Sequence, residues 1–225
     1  MTGSQRRSRG KKAAEQAEPV ATGTPASQRE LRAQGRRTMG KLLDAGMKVF
    51  AERGYHAARV DDIVRAARTS HGTFYLYFTN KEDLLRALAV RCADELDALA
   101  EHIGPITADD AGLAEVRAFL AGFLDVYERY GPVIRAWMEG QVSDREVNRL
   151  GLRAFMRIGN RLRERMREAG GADRAELDAR VGVLMAMLER FNYFYSSRDL
   201  GLDREATLDT LARIAHRGFF EAAAA

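Results

Sequence analysis

From Arg36 onward, large apolar side chains return at intervals of three and four residues, and only glycine- or proline-containing breaks interrupt the runs that carry them. That spacing lays the apolar groups along one side of an α-helix, and such helices bury their stripes only against one another. The chain is therefore expected to be all-α. In RRTMGKLLDAGMKVFAERGY the stripe is Met39, Leu42, Leu43, Gly46, Val49 and Phe50, and Gly54 stands where a left-handed residue would close the helix. After Lys81 the breaks fall at Gly104-Pro105, Gly131-Pro132, Gly140, Gly170-Gly171 and near Gly201. They delimit six helices at about 81–102, 109–129, 132–139, 144–169, 173–198 and 204–220.

The stretch AARVDDIVRAARTSHGTFYLYFTNKEDLL is patterned differently. Val60, Ile63, Val64 and Ala67 make a short apolar face, Arg68-Thr69-Ser70 breaks it, and Phe74 with Tyr77 or Phe78 resumes it. Ser70 is placed to cap the second piece by accepting from the amides ahead of it, and Asn80 to cap the helix that starts at Lys81. Two short helices joined by a brief turn have the pattern of a helix-turn-helix, which antiparallel helical hairpins share. With the helix before them they make a three-helix N-terminal unit over 36–80, and the six later helices a second unit over 81–225.

Met1 to Lys81 holds sixteen Lys/Arg against seven Asp/Glu, a net of +9, whereas Glu82 to Ala225 holds twenty against twenty-five, a net of −5; together they give the +4 of the whole chain. A basic end joined to an acidic remainder suits a protein of which one end meets a polyanion. Residues 1–35 have almost no large apolar side chains and are expected to be a disordered basic tail, able to add phosphate attraction or to reach a minor groove. Cys92 is single, and His56, His71, His102 and His216 are scattered, so neither a disulfide framework nor a metal-ligand set is visible. No nucleophile–base constellation or phosphate loop supports an enzyme, and no cofactor is expected. The tail lacks the apolar run of a secretory signal, and no later run reaches the roughly eighteen residues that span a bilayer. A cytoplasmic protein without membrane contact is the expectation.

The stretch FAERGYHAARVDDIVRAARTSHGTFYLYFTNKEDLL resembles the DNA-binding signature of TetR/AcrR-family transcriptional regulators. It matches at Phe50, Gly54, Tyr55, Val60, Ile63, Ala67, Ser70, Gly72, Thr73, Phe74, Tyr75, Tyr77, Phe78, Lys81, Leu84 and Leu85. The resemblance is specific over about residues 36–90 and architectural beyond them. Three departures stand out. Ala58-Arg59 replaces a capping Thr or Ser before the second helix, with Asp61 and Asp62 offering partial compensation through the helix dipole. Arg68 stands where glycine is common and is expected to hold a left-handed conformation, and Thr69 replaces an apolar residue beside it.

What the resemblance implies is a dimeric, ligand-responsive repressor. Its recognition helix, Ser70 to Tyr77, would enter the major groove of double-stranded DNA, with His71 and Thr73 reaching base edges and Gly72 allowing close approach. Tyr75, Tyr77 and Lys81 would contact phosphates, while Phe74 and Phe78 belong to the core. The last two helices, with Leu184, Leu188, Phe191, Leu208, Leu211, Ile214 and Phe219, would form an intersubunit bundle and select an inverted-repeat operator. A small apolar effector would occupy a pocket drawn from Phe123, Tyr127, Trp137, Met138, Phe155, Met185 and Phe191, with Glu189, Arg190 or Asn192 as a polar anchor. Ordinary core and dimer surface account for the same residues. Activation in place of repression, and ligand-independent DNA binding, stay open as alternatives.

Overall fold

The computed structural model describes residues 33–138, 144–170, 173–197 and 201–220, without the side chains of Met138, Ser196 and Ser197. Among these residues there are eight α-helices and no strand: α1 (Ala33–Arg53), α2 (Val60–Ala66), α3 (His71–Tyr77), α4 (Lys81–Glu101), α5 (Asp110–Met138), α6 (Arg145–Gly170), α7 (Arg174–Ser197) and α8 (Arg204–Phe219). The all-α expectation holds, and most boundaries fall within a residue or two of the breaks in the pattern. The helix expected from Arg36 already begins at Ala33; the basic tail before it, and Gly140, lie outside the described residues. Gly54 closes α1 at a φ of +75°, its N–H donating to the Phe50 carbonyl at 3.0 Å.

One expected break is absent. The separate helices at 109–129 and 132–139 run as the single helix α5, with Pro132 inside it, so five described helices follow the N-terminal three where six were expected. An internal proline costs about 3 kcal/mol and a glycine about 1. Against this, Val126, Tyr127, Tyr130, Val133, Ile134 and Ala136 are all buried. Their spacing keeps one stripe in register only if the helix continues through Gly131-Pro132, and Tyr130 is further fixed by donating its hydroxyl to Glu95 at 2.6 Å.

The buried apolar residues form two cores. The first joins Leu42, Phe50, Ile63, Phe74, Phe78 and Leu84, from the four N-terminal helices, to Val133 and Ala136 of α5 and Val147 of α6. The second starts at Cys92 on α4 and extends through α5, α6, α7 and α8. α4 thus belongs to both, packing on α5 and α6, while α5 packs on α8. Three partly buried side chains, Met47, Trp137 and Leu150, touch both cores. α1 meets α4 at Gly46, where a Cβ would lie 2.5 Å from Leu84 Cδ2. Among the described residues no helix is long and apolar enough to cross a membrane.

The residues expected at an intersubunit bundle divide. Leu184, Leu188 and Leu208 are buried in the chain's own core, and Phe191, Leu211 and Phe219 are partly covered. Ile214 is exposed, as are Val183 and Phe194 on α7.

Candidate functional site

The helix-turn-helix is built from local hydrogen bonds that its sequence supplies. At the end of α2, the Thr69 N–H donates to the Val64 carbonyl at 2.9 Å and the Arg68 N–H to the Arg65 carbonyl at 3.2 Å. Arg68 sits between them at a φ of +52°. This is a Schellman closure with arginine in the position that favours glycine, at a strain of about 1–2 kcal/mol. The left-handed Arg68 expected from the sequence is what the chain adopts. At the start of α2, Arg59 offers no side-chain acceptor; Asp62 instead reaches back to accept from the Arg59 N–H at 3.3 Å. Arg53 and Arg65 flank that carboxylate at 3.4 and 3.5 Å, which ties the end of α1 to α2.

Ser70 caps α3 as its position predicts, its Oγ accepting from the Thr73 N–H at 3.1 Å and lying 3.0 Å from Thr73 Oγ1. Phe74 and Phe78 face the core and Tyr77 lies with them, whereas Tyr75 is 51% exposed and Leu76 59%. Of the two tyrosines expected at phosphates, Tyr75 is the one that lies open. His71 and Gly72 are exposed and Thr73 half-buried. His71 Nε2 is 2.6 Å from Asp61 Oδ1. Facing a carboxylate, Nε2 is the donating nitrogen, and Nδ1 is left for another partner.

Lys81 sits among backbone carbonyls. Its Nζ donates to the carbonyls of Tyr55 and His56 at 3.0 Å each and of Ala58 at 3.1 Å, and lies 4.8 Å from the centre of the Tyr55 ring. An ammonium has three N–H donors, and these carbonyls take all of them. Through these bonds Lys81 fastens the loop between α1 and α2 to the start of α4. Tyr55 completes this joint by donating its hydroxyl to Glu82 at 3.2 Å; burial, and then Glu82, push the phenol up to about 12.

A cavity of about 670 Å³ lies between α4, α5, α6 and α7. Of the side chains expected there, Phe123, Tyr127, Trp137, Phe155 and Met185 line it, as does Glu189. Phe191 and Asn192 do not. Phe191 stacks on Tyr195 with ring centres 5.7 Å apart, and Asn192 is buried with its amide donating to the Leu188 carbonyl at 2.8 Å. On α7, Phe191 stands two positions beyond the lining Glu189, which turns it away from the face that Met185 and Glu189 share. The Met138 side chain lies outside the described residues. Ile134, Leu96 and Asn148 also line the wall. Ile134 shares the α5 stripe with Tyr127 and Trp137, so periodicity could have found it, whereas Leu96 and Asn148 arrive from other helices and left no local signal.

Residues 42–88 match the bacterial regulatory proteins of the tetR family. The chain is 48% identical over 48 residues to the fatty acid metabolism regulator protein of Bacillus subtilis, a stretch covering 21% of this chain and 25% of that protein. It is 35% identical over 89 residues to the HTH-type transcriptional activator FasR of Mycolicibacterium smegmatis, covering 40% of each. The matched stretches thus span less than half the length of these relatives. The whole fold is similar to that of the transcriptional regulator FadR from Bacillus subtilis in complex with stearoyl-CoA, with a TM-score of 0.60 at 21% identity over 80% of this chain and 98% of that one.

Proposed function

We propose, because residues 42–88 match the bacterial regulatory proteins of the tetR family, that this chain is a ligand-responsive transcriptional repressor which binds an inverted-repeat operator as a homodimer. In this reading α3 enters the major groove, His71 and Thr73 read base edges, Ser70 and Gly72 bring the helix start close, and Tyr75 contacts the phosphate backbone. Lys81 and Tyr77 hold the reading head in shape. The DNA-binding unit divides from the regulatory unit near residue 80, and α7 and α8 carry the dimer contact.

The observation that supports ligand response is the double membership of Trp137, which lines the cavity and also packs against the core of the DNA-binding unit. A molecule that prefers one position of Trp137 favours one placement of α5 and α6 against α1 and α4. If DNA prefers the other placement, each ligand weakens the other by the same factor. The long acyl ligand of the similar Bacillus subtilis regulator is a precedent for an apolar effector in this fold.

Selection of bound duplexes from a random DNA pool tests the reading. An inverted repeat, with half-sites one helical turn or a multiple apart, is the expected outcome. No enriched sequence, or a single unrepeated site, overturns it. With the selected operator in hand, His71→Ala is expected to change which bases are preferred at one position per half-site; an unchanged preference removes His71 from the reading set.

A further inference from the structure

Glu189 is the one formally charged side chain among the described residues that line the cavity. Its Oε1 is buried and has no hydrogen-bond partner among them. The adjacent Arg190 does not answer it, because that guanidinium lies over the rings of Tyr193 and Phe194, 5.4 and 6.0 Å from their centres. A carboxylate oxygen set in an apolar wall without a donor is unfavourable, and what relieves it is a molecule bringing both a donor and a positive charge. The rest of the wall fits such a molecule. Phe123, Tyr127, Trp137 and Phe155 supply aromatic rings, a class of group whose faces attract cations, and Met185 an adaptable thioether. Burial, and then the nearby Glu189, push the Tyr127 phenol up and keep it neutral. Trp137 Nε1, also buried without a partner among the described residues, is a donor for a single acceptor on the ligand. The volume of about 670 Å³ suits one drug-sized molecule.

We infer that the molecule this cavity takes is a lipophilic cation, a protonated amine on an apolar body whose N–H donates to Glu189 Oε1, and that an anionic acyl compound is disfavoured there. The inference rests on the reading of the cavity as the effector site and names the chemical class that site selects.

Trp137 is the only tryptophan in the chain, so its fluorescence reports from the cavity wall. The full chain is titrated with dodecylammonium, dodecanol and dodecanoate, which share one alkyl body and differ in head-group charge, all below their micellar concentrations. Dodecylammonium is expected to bind at least about tenfold more tightly than dodecanoate, the scale of one hydrogen bond to a charged group. Glu189→Gln should collapse that gap and Glu189→Lys reverse it, and the second variant keeps the test alive if the first does not fold. Dodecanoate binding as well as dodecylammonium, or a gap that persists in Glu189→Gln, overturns the cation inference and leaves the effector cavity standing. If none of the three changes Trp137 emission, the cavity reading falls and the inference with it.

Discussion

Arg68 and Lys81 both occupy positions of the resembling signature; Arg68 takes the left-handed conformation its position implies, and Lys81 donates to backbone carbonyls. Arg68 keeps the turn at a φ of +52°, where the absence of a Cβ would relieve strain. Arg68→Gly is therefore expected to raise stability by roughly 0.5–1 kcal/mol, the strain relief less the extra entropy that glycine loses on folding. Thermal melting checks this, and a lower melting temperature shows that the arginine side chain makes a contact worth more than the strain. Lys81 points the other way. Replacing it by methionine leaves the Tyr55, His56 and Ala58 carbonyls without their shared donor, so a loss of about 1–3 kcal/mol is expected. The salt dependence of DNA binding should keep its slope, since an inward-facing ammonium releases no counterion from the duplex. A slope shallower by about one unit would return Lys81 to the phosphate backbone.

At the scale of helices, the joint between α4 and α6 is electrostatic as well as apolar. Asp144 caps α6 by accepting from the Glu146 N–H at 2.8 Å, and its other oxygen takes two bonds from Arg86 on α4, at 2.5 and 3.0 Å. The Arg86 guanidinium holds the Asp144 carboxyl below its ordinary range. A carboxyl with a lowered folded value contributes stability that is present above its unfolded value of about 3.9 and is lost as the pH falls through the folded value. Asp144→Asn keeps the cap and removes the charge. It should cost within about 1 kcal/mol at neutral pH, because the pair is partly open to solvent. Its stability curve and that of the parent should converge on acidification below pH ~4. Curves that stay parallel down to that range would show that the ion pair contributes nothing. Just beyond this cap, Val147 of α6 joins the N-terminal core.

For the whole molecule, α7 and α8 carry part of the large apolar surface left over after both cores are filled, as does α6 at Leu152 and Met156. Val183 and Ile214 are 59% and 51% exposed. A symmetric dimer contact through this face would cover them. The double variant Val183→Glu, Ile214→Glu is expected to keep its helical circular dichroism and elute as a monomer in light scattering. Its affinity for an inverted repeat should fall toward that of one half-site. A variant that remains dimeric moves the interface elsewhere.

The sequence determined the elements because their causes are local. Apolar spacing, the glycine at residue 54, the Ser70 and Asn80 caps and the strained Arg68 each act within a turn or two of chain, and each appears in the structure where its residue stands. Most of the α3 surface was legible for the same reason, as were five of the cavity residues, which sit on stripes of single helices. Tertiary structure decided what depends on neighbours far along the chain. Pro132 is a break by propensity and a helical residue by packing, since the burial on both sides of it outweighs one missing hydrogen bond. Lys81 could face a phosphate or a carbonyl until the α1–α2 loop came within 3.0 Å of it. Trp137 was a candidate for core, pocket or interface until α5 and α6 met the DNA-binding core and made it part of two at once. A side chain's partner is fixed by the fold when several lie within its reach, and the sequence states only which residue is reaching.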